Sequence, residues 1–328
     1  MIITRTPFRV SFCGGGSDLA SFYEQHGGCV LSSSINKYMY ISVHPYFDEK
    51  YTSLKYSENE LVDDLSKIKH RILNSVLNQR KLSGVEISST ADVPAGTGLG
   101  SSSTFTVGLL HAIYSYKGQY VSKATLAEEA CEVEINRLGA PIGKQDQYAA
   151  AFGGLNFIRF KRNGSTSVEP IMMKPETYNK LQNNLIMFYT GTSRSANTIL
   201  SEQKNNISQQ ETTKNLQQMC TLAEEMKAAL QEDDLSSFGE ILNRGWLLKK
   251  TLASGISNPD IDHAYDVAME NGALGGKLLG AGGGGFFLFY CEPHNQEKLR
   301  TAIGLKKMDF KLEYDGSSVV HVGDKYWN

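Results

Sequence analysis

Residues 14–16, 27–28, 96–100 and 272–285 hold sixteen of the 31 glycines in this 328-residue chain. Glycine spread evenly would loosen a chain. Glycine concentrated this way marks a few fixed places where the backbone must turn sharply or come very close to another group. Around those places the rest of the sequence alternates between strand-like and helix-like runs, so the patches read as loops of a mixed α and β protein.

Composition narrows the classes. Lys and Arg total 33 and Asp and Glu total 35, a net charge of −2, without the basic excess that binding a long nucleic acid requires. No segment reaches the roughly 18 apolar residues of a membrane span. Met1-Ile2-Ile3-Thr4-Arg5 lacks the layout of a secretory leader. The five cysteines (13, 29, 131, 220 and 291) are scattered and make no Cys-x-x-Cys pair, and the seven histidines make no metal-ligand spacing. The expectation is a cytoplasmic protein with free thiols that binds neither nucleic acid nor membrane.

Residues 1–60 read as strands, 61–81 as a helix, and Val85–Ser89 as a half-buried strand feeding Pro94–Gly100 and then a helix through Phe105, Leu109 and Ile113. A second helix is predicted from Ser122 to Leu138, with Thr125 and Glu128 spaced as a capping box. A hairpin-like region follows at 155–171. Leu216, Met219, Ala223, Met226 and Leu230 set a helical rhythm, further helices are expected near 237–253 and 260–271, and strands close the chain around Asp315-Gly316. A domain boundary is placed near 180, giving domains 1–180 and 181–328.

Pro94-Ala-Gly-Thr-Gly-Leu-Gly-Ser-Ser-Ser103 is the strongest local motif. A strand enters it and a helix leaves it. Its glycines (Gly96, Gly98, Gly100) let several N–H groups converge, and the helix start adds unpaired N–H groups and partial positive charge. That makes an anion cradle, with Ser101, Ser102 and Ser103 offering hydroxyls to phosphate or Mg²⁺. The competing reading is a tight turn capped by Ser101 or Ser102. A Walker A loop is a weak match because no lysine follows the glycines. A dinucleotide fingerprint is weak as well, with Ser101 where the third glycine belongs and Tyr120 and Val121 where an acid belongs.

Three charged residues stand out. At about 100° per residue, Glu134 projects from the apolar face formed by Leu126, Ala127, Ala130 and Cys131, so something cationic must meet it: Mg²⁺, or an Arg or Lys. Asp146 could orient and deprotonate a hydroxyl nucleophile, or could cap a short helix. Arg9, at the start of a strand, could neutralise a phosphate or a nearby acid.

Taken in order, these pieces resemble the GHMP kinase superfamily. Its three motifs match Thr6-Pro-Phe-Arg-Val-Ser-Phe-Cys-Gly-Gly-Gly-Ser-Asp18, the loop Pro94–Ser103, and Lys277-Leu-Leu-Gly-Ala-Gly-Gly-Gly-Gly-Phe286, covering the chain almost end to end. The resemblance implies an α+β fold of two domains, ribosomal-protein-S5-like then ferredoxin-like, with the active site between them. It implies an ATP- and Mg²⁺-dependent kinase in which Asp146 is the catalytic aspartate and Arg9 its basic partner. Ser102 and Glu134 would hold the metal, and the loop Pro94, Gly96, Gly98, Leu99, Gly100 and Ser101–Ser103 would hold ATP. Gly15, Gly16, Ser17 and Asp18 would bind the sugar, and Gly282, Gly283 and Gly284 would close over it.

Departures narrow the branch. Galactokinases and mevalonate kinases carry Glu-His in the first motif, where this chain has Gly14-Gly-Gly-Ser-Asp18; homoserine kinases lack the catalytic aspartate. With Tyr23-x-x-x-Gly27-Gly28, the string resembles the D-glycero-α-D-manno-heptose 7-phosphate kinase branch, which phosphorylates the anomeric C1 hydroxyl in nucleotide-activated heptose synthesis. Fucokinase domains are close relatives. A phosphorylated sugar needs a second anion site, and Tyr189-Thr-Gly-Thr-Ser-Arg-Ser195 offers Arg194 at a helix start. The rival expectations are a kinase of a non-phosphorylated sugar and a non-catalytic sugar or ATP sensor.

Overall fold

The computed structural model describes residues 1–192, 196–207 and 209–323. Two sheets organise it. The larger has nine strands, and its spine is the 18-residue strand Gly28–Pro45. Along one edge this strand pairs antiparallel with Ile2–Cys13. Along the other its first residues pair with Leu155–Phe160, which forms a hairpin with Thr166–Pro170, and its last residues pair with Val85–Ala91. Thr52–Lys55 joins that strand in parallel and is flanked by Asn59–Val62. The smaller sheet is antiparallel, in the order Lys306–Lys307, Leu185–Tyr189, Phe286–Cys291, Ala273–Leu278.

The chain does not stay with the second sheet after residue 180. Leu312–Glu313 pairs with the spine strand, and Ser318–Val322 adds an edge next to Ile2–Cys13. The strands expected around Asp315-Gly316 therefore flank those two residues, which turn against Gly153. Local readings need four further adjustments. A helix, Ala20–His26, interrupts the N-terminal strands, and only Leu65–Lys67 and Arg71–Arg80 are helical within 61–81. The helix expected from Ser122 is α-helical over Lys123–Cys131 and then widens into a π-helix over Glu132–Arg137. Its cap is the Ser122 hydroxyl, accepting from the Thr125 N–H at 3.0 Å, in place of a Thr125–Glu128 box.

Helix Ser101–Tyr116 is buried along most of its length, which explains why it is apolar without a strong stripe. The two sheets share packing: Phe12 of the first strand meets Phe238 edge-on at 5.3 Å, and Phe238 in turn contacts Tyr290 of the second sheet. A second cluster, around Trp246, Phe188, Phe287 and Phe289, fills the space under the smaller sheet. The five cysteines are free thiols. Among the described residues no helix is long and apolar enough to cross a membrane.

Candidate active site

Three glycine patches converge on one cleft. The loop before Ser101–Tyr116 and the loop before Phe286–Cys291 touch backbone to backbone: a β-carbon at Gly98 would lie 2.3 Å from the Leu279 carbonyl oxygen, and one at Gly280 would lie 2.4 Å from the Gly98 Cα. Such contact leaves no room for any other residue type at either position. Gly96, Gly98, Gly100, Ser101, Ser102 and Ser103 line the cleft on one side, and Gly280, Gly282 and Gly284 on the other, with Gly16 and Asp18 at the end.

The capping reading of the serines does not hold. Gly100 occupies the N-cap with φ +80°, no side chain caps the helix, and the first turn opens into the cleft. Unpaired N–H groups at such a terminus are a ready anion site.

Arg9 and Asp146 meet although 137 residues separate them. Arg9 Nε and Nη2 donate to Asp146 Oδ1 and Oδ2, each at 2.8 Å, and Nη1 donates to the Gly98 carbonyl at 2.6 Å. The Arg9 backbone N–H donates to the Leu99 carbonyl at 3.2 Å, so buried Leu99 serves as an anchor. This fork ties the guanidinium to the carboxylate and to the loop at once. Asp146 is not a cap, since Lys144 holds the N-cap of helix Gln145–Phe152. Asp146 instead faces the loop: a β-carbon at Gly100 would lie 3.2 Å from its Oδ2.

Glu134 is 2% exposed. It accepts from the Ser102 hydroxyl at 2.5 Å and from Gln147 Nε2 at 2.8 Å. Among the described residues no Arg or Lys pairs with it, which removes the structural ion pair as its partner. Burial pushes its carboxyl above the usual range against the hydrogen bonds that lower it, and the nearby Asp146 charge adds to the rise. The π-helical turn that carries it displaces it from an α-helical register, a feature common at functional sites. A buried carboxylate beside a serine hydroxyl at an anion cradle suits a hard, oxygen-seeking divalent cation that takes its other ligands from phosphate and water.

Asp18 is also buried. It accepts from the Gly16 N–H at 2.9 Å and the Gln145 N–H at 3.2 Å. Burial raises its carboxyl, Asp146 adds to the rise, and the two N–H groups oppose it. Ser17 turns away from the cleft: its hydroxyl bonds the Gly14 carbonyl at 2.8 Å and accepts from the Cys29 N–H at 3.0 Å. It pins the loop and is not a free sugar ligand. Gly283 is likewise spent on backbone pairing with Ile256, and Pro94 lines a neighbouring groove. Arg194 lies outside the described residues.

Sequence reasoning missed Lys249. It is 6% exposed and lines the cleft; its ammonium donates to the Gly280 carbonyl at 2.7 Å and, among the described residues, has no ion-pair partner. Burial, with Arg9 adding to it, pushes its pKa down to about 8. It follows Phe238, Leu242, Gly245 and Trp246 along the buried stripe of helix Leu235–Lys250, so the rule that singled out Glu134 would have found it. Lys277, behind it, is driven well below the usual range by burial and by Lys249, and donates to the Phe12 carbonyl at 3.2 Å.

A groove continues from the loop past Gly96, Ser101 and Ser102, walled by Tyr56, His70, Ile72 and Phe105. It is wide and partly aromatic, suited to a flat ring attached to a phosphate chain.

Two family models match the chain: the GHMP kinases N terminal domain over residues 65–154 and the GHMP kinases C terminal over residues 226–308. The chain is 30% identical to the D-glycero-alpha-D-manno-heptose 7-phosphate kinase of Campylobacter jejuni, across 96% of this chain and 97% of that protein. It is 25% identical to the bifunctional fucokinase/GDP-fucose pyrophosphorylase of Arabidopsis thaliana, across 89% of this chain but 30% of that protein. A solved structure described as a D-glycero-D-manno-heptose 1-phosphate kinase of Bacteroides thetaiotaomicron superposes with a TM-score of 0.80 at 26% identity, covering 99% of this chain and 100% of the other.

Proposed function

The chain belongs to the GHMP kinases, and from that premise we propose that it transfers the γ-phosphoryl group of ATP to the anomeric C1 hydroxyl of D-glycero-α-D-manno-heptose 7-phosphate, yielding the 1,7-bisphosphate. Membership, with sugar kinases as relatives along the whole chain, makes it an ATP-dependent sugar kinase. The similarity to the heptose 7-phosphate kinase along both full lengths supports the narrower substrate. The observation that carries the chemistry is Asp146, locked by Arg9 at the mouth of the phosphate loop.

In this reading the nucleoside lies in the groove beside Tyr56 and Phe105, and the phosphates lie on the N–H groups of Ser101–Ser103. Phosphoryl transfer asks a protein mainly for alignment and charge. Asp146 holds the C1 hydroxyl in line with the γ-phosphorus and receives its proton as the new O–P bond forms and ADP leaves. Arg9 fixes the carboxylate and lends positive charge to the transferring group. Ser102 and Glu134 would hold Mg²⁺, which when bound neutralises charge on the β- and γ-phosphates. Asp18 takes a sugar hydroxyl, the loop at 282–284 closes the cleft, and Arg194, chosen from sequence alone, receives the acceptor's own phosphate. ATP as donor and the free thiols fit a cytoplasmic setting.

The test is a product assay with ATP and Mg²⁺, offering heptose 7-phosphate, heptose 1-phosphate and L-fucose, with products read by ³¹P NMR. The expected result is fastest turnover of the 7-phosphate, with a new phosphorus coupled to the anomeric proton. Arg194→Ala should raise KM for that acceptor alone. Faster turnover of fucose or of the 1-phosphate, or transfer to another hydroxyl, would overturn the substrate assignment and leave the kinase standing.

A further inference from the structure

The glycines at 15 and 16 have a use that phosphate chemistry does not explain. A β-carbon at Gly16 would stand 2.2 Å from Gln203 Nε2. One at Gly15 would stand 3.6 Å from Gln145 Nε2 and 3.8 Å from Lys249 Nζ. Any side chain at Gly16 would displace the Gln203 amide, whereas one at Gly15 would meet the other two at ordinary van der Waals distance. Bare backbone at Gly16 makes room for the Gln203 amide, and three polar heads, from helices Ala196–Asn206, Gln145–Phe152 and Leu235–Lys250, line the cleft with Asp18.

Each of the three has hydrogen-bonding capacity left over. Gln203 is 1% exposed and, among the described residues, its Nε2 has no partner and the buried Gln145 Oε1 has none either. Lys249 has three donors and, among the described residues, a single bond, to the Gly280 carbonyl. Buried polar atoms are rarely left unmet, so a donor, an acceptor and a charged donor facing the same cleft imply a polar guest. The fork at Asp146 and the uncapped helix at Ser101 already account for the reacting hydroxyl and the phosphates.

We infer that Gln203, Gln145 and Lys249 form the wall that reads the ring hydroxyls of the acceptor, so that they set which sugar is accepted and not how fast phosphate moves. The inference rests on the sugar kinase reading and names the specificity residues within it. Gln203 donates to one hydroxyl oxygen, Gln145 accepts from a neighbouring hydroxyl, and Lys249 gives the charge-assisted bond. A site built this way rejects an analogue lacking the matching hydroxyl, because its own buried groups are then stranded.

The experiment uses steady-state kinetics of Gln203→Leu, Gln145→Leu and Lys249→Met with D-glycero-α-D-manno-heptose 7-phosphate and its single-deoxy analogues at ring positions. Acceptor KM should rise about 10- to 100-fold in each variant while ATP KM stays within about twofold. Wild-type enzyme should disfavour at least one deoxy analogue by about 100-fold, and the matching variant should lose that preference to within about threefold. Gln203→Asn, which keeps the amide, gives the same readout should a larger change prevent folding. Variants that keep the full wild-type preference across all analogues, or that raise ATP KM equally, overturn the inference. If wild-type enzyme phosphorylates L-fucose and not the heptose, the substrate assignment falls, and the same variants tested on deoxy-fucoses still decide the role of the wall.

Discussion

Two kinds of charge line this one cleft. At its floor Arg9 and Asp146 satisfy each other through two 2.8 Å bonds, and the spare nitrogen of Arg9 is tied to Gly98. On its flanks Glu134 and Lys249 are as deeply buried but have no counterion among the described residues. The floor is complete before any ligand arrives, which is the preorganisation that the proposed catalytic role of Asp146 requires. The flanks cost stability until something of opposite charge or matching polarity arrives, which is why they are the proposed ligand positions. A satisfied pair reveals alignment, and an unsatisfied charge reveals a missing guest.

Breaking the floor should have the largest effect. Asp146→Asn keeps the shape and removes the proposed base; turnover should fall about 10²- to 10⁴-fold with ATP KM nearly unchanged. Turnover within a few-fold of wild type would move the base elsewhere. Arg9→Met leaves the Asp146 carboxylate without its partner at a site where the two side chains are 4% and 22% exposed. Denaturant unfolding should show a loss of about 3 kcal/mol. An unchanged midpoint would mean the fork contributes alignment without stability.

Altering a flank should act in the opposite direction. Glu134→Gln removes an unpaired buried charge, so stability at neutral pH should rise by about 1 kcal/mol while the Mg²⁺ needed for half-maximal activity increases. The sign with pH follows from the raised carboxyl of Glu134. As pH falls through its elevated folded pKa, the folded wild type takes up a proton before the unfolded chain does. The burial penalty is then relieved, and the advantage of the variant should shrink towards pH 4. A thermal melt series across that range checks it, and an advantage independent of pH would contradict the charge explanation.

Much of this was legible in sequence because its signals are local. The loop Pro94–Ser103 announced itself by glycine spacing between a strand and a helix, and Glu134 by an acid on an apolar face. Lys249 carried the same signal on its own helix, hidden because Lys250 beside it makes the pair look like an ordinary basic helix end. Ser17 misled because its type suits a sugar ligand, whereas its direction is decided by Cys29, twelve residues away on the spine strand.

The sequence alone determined the motifs, their order and the residue types that a phosphate site requires, since backbone freedom at glycine and helix-start chemistry depend on near neighbours. Only the tertiary structure decided that Arg9 grips Asp146, that Gly98 and Gly280 touch, and that Gln203, Gln145 and Lys249 gather over bare backbone. Those contacts join residues about a hundred or more positions apart, and their distances are set by how the two sheets pack and not by any local preference of the chain.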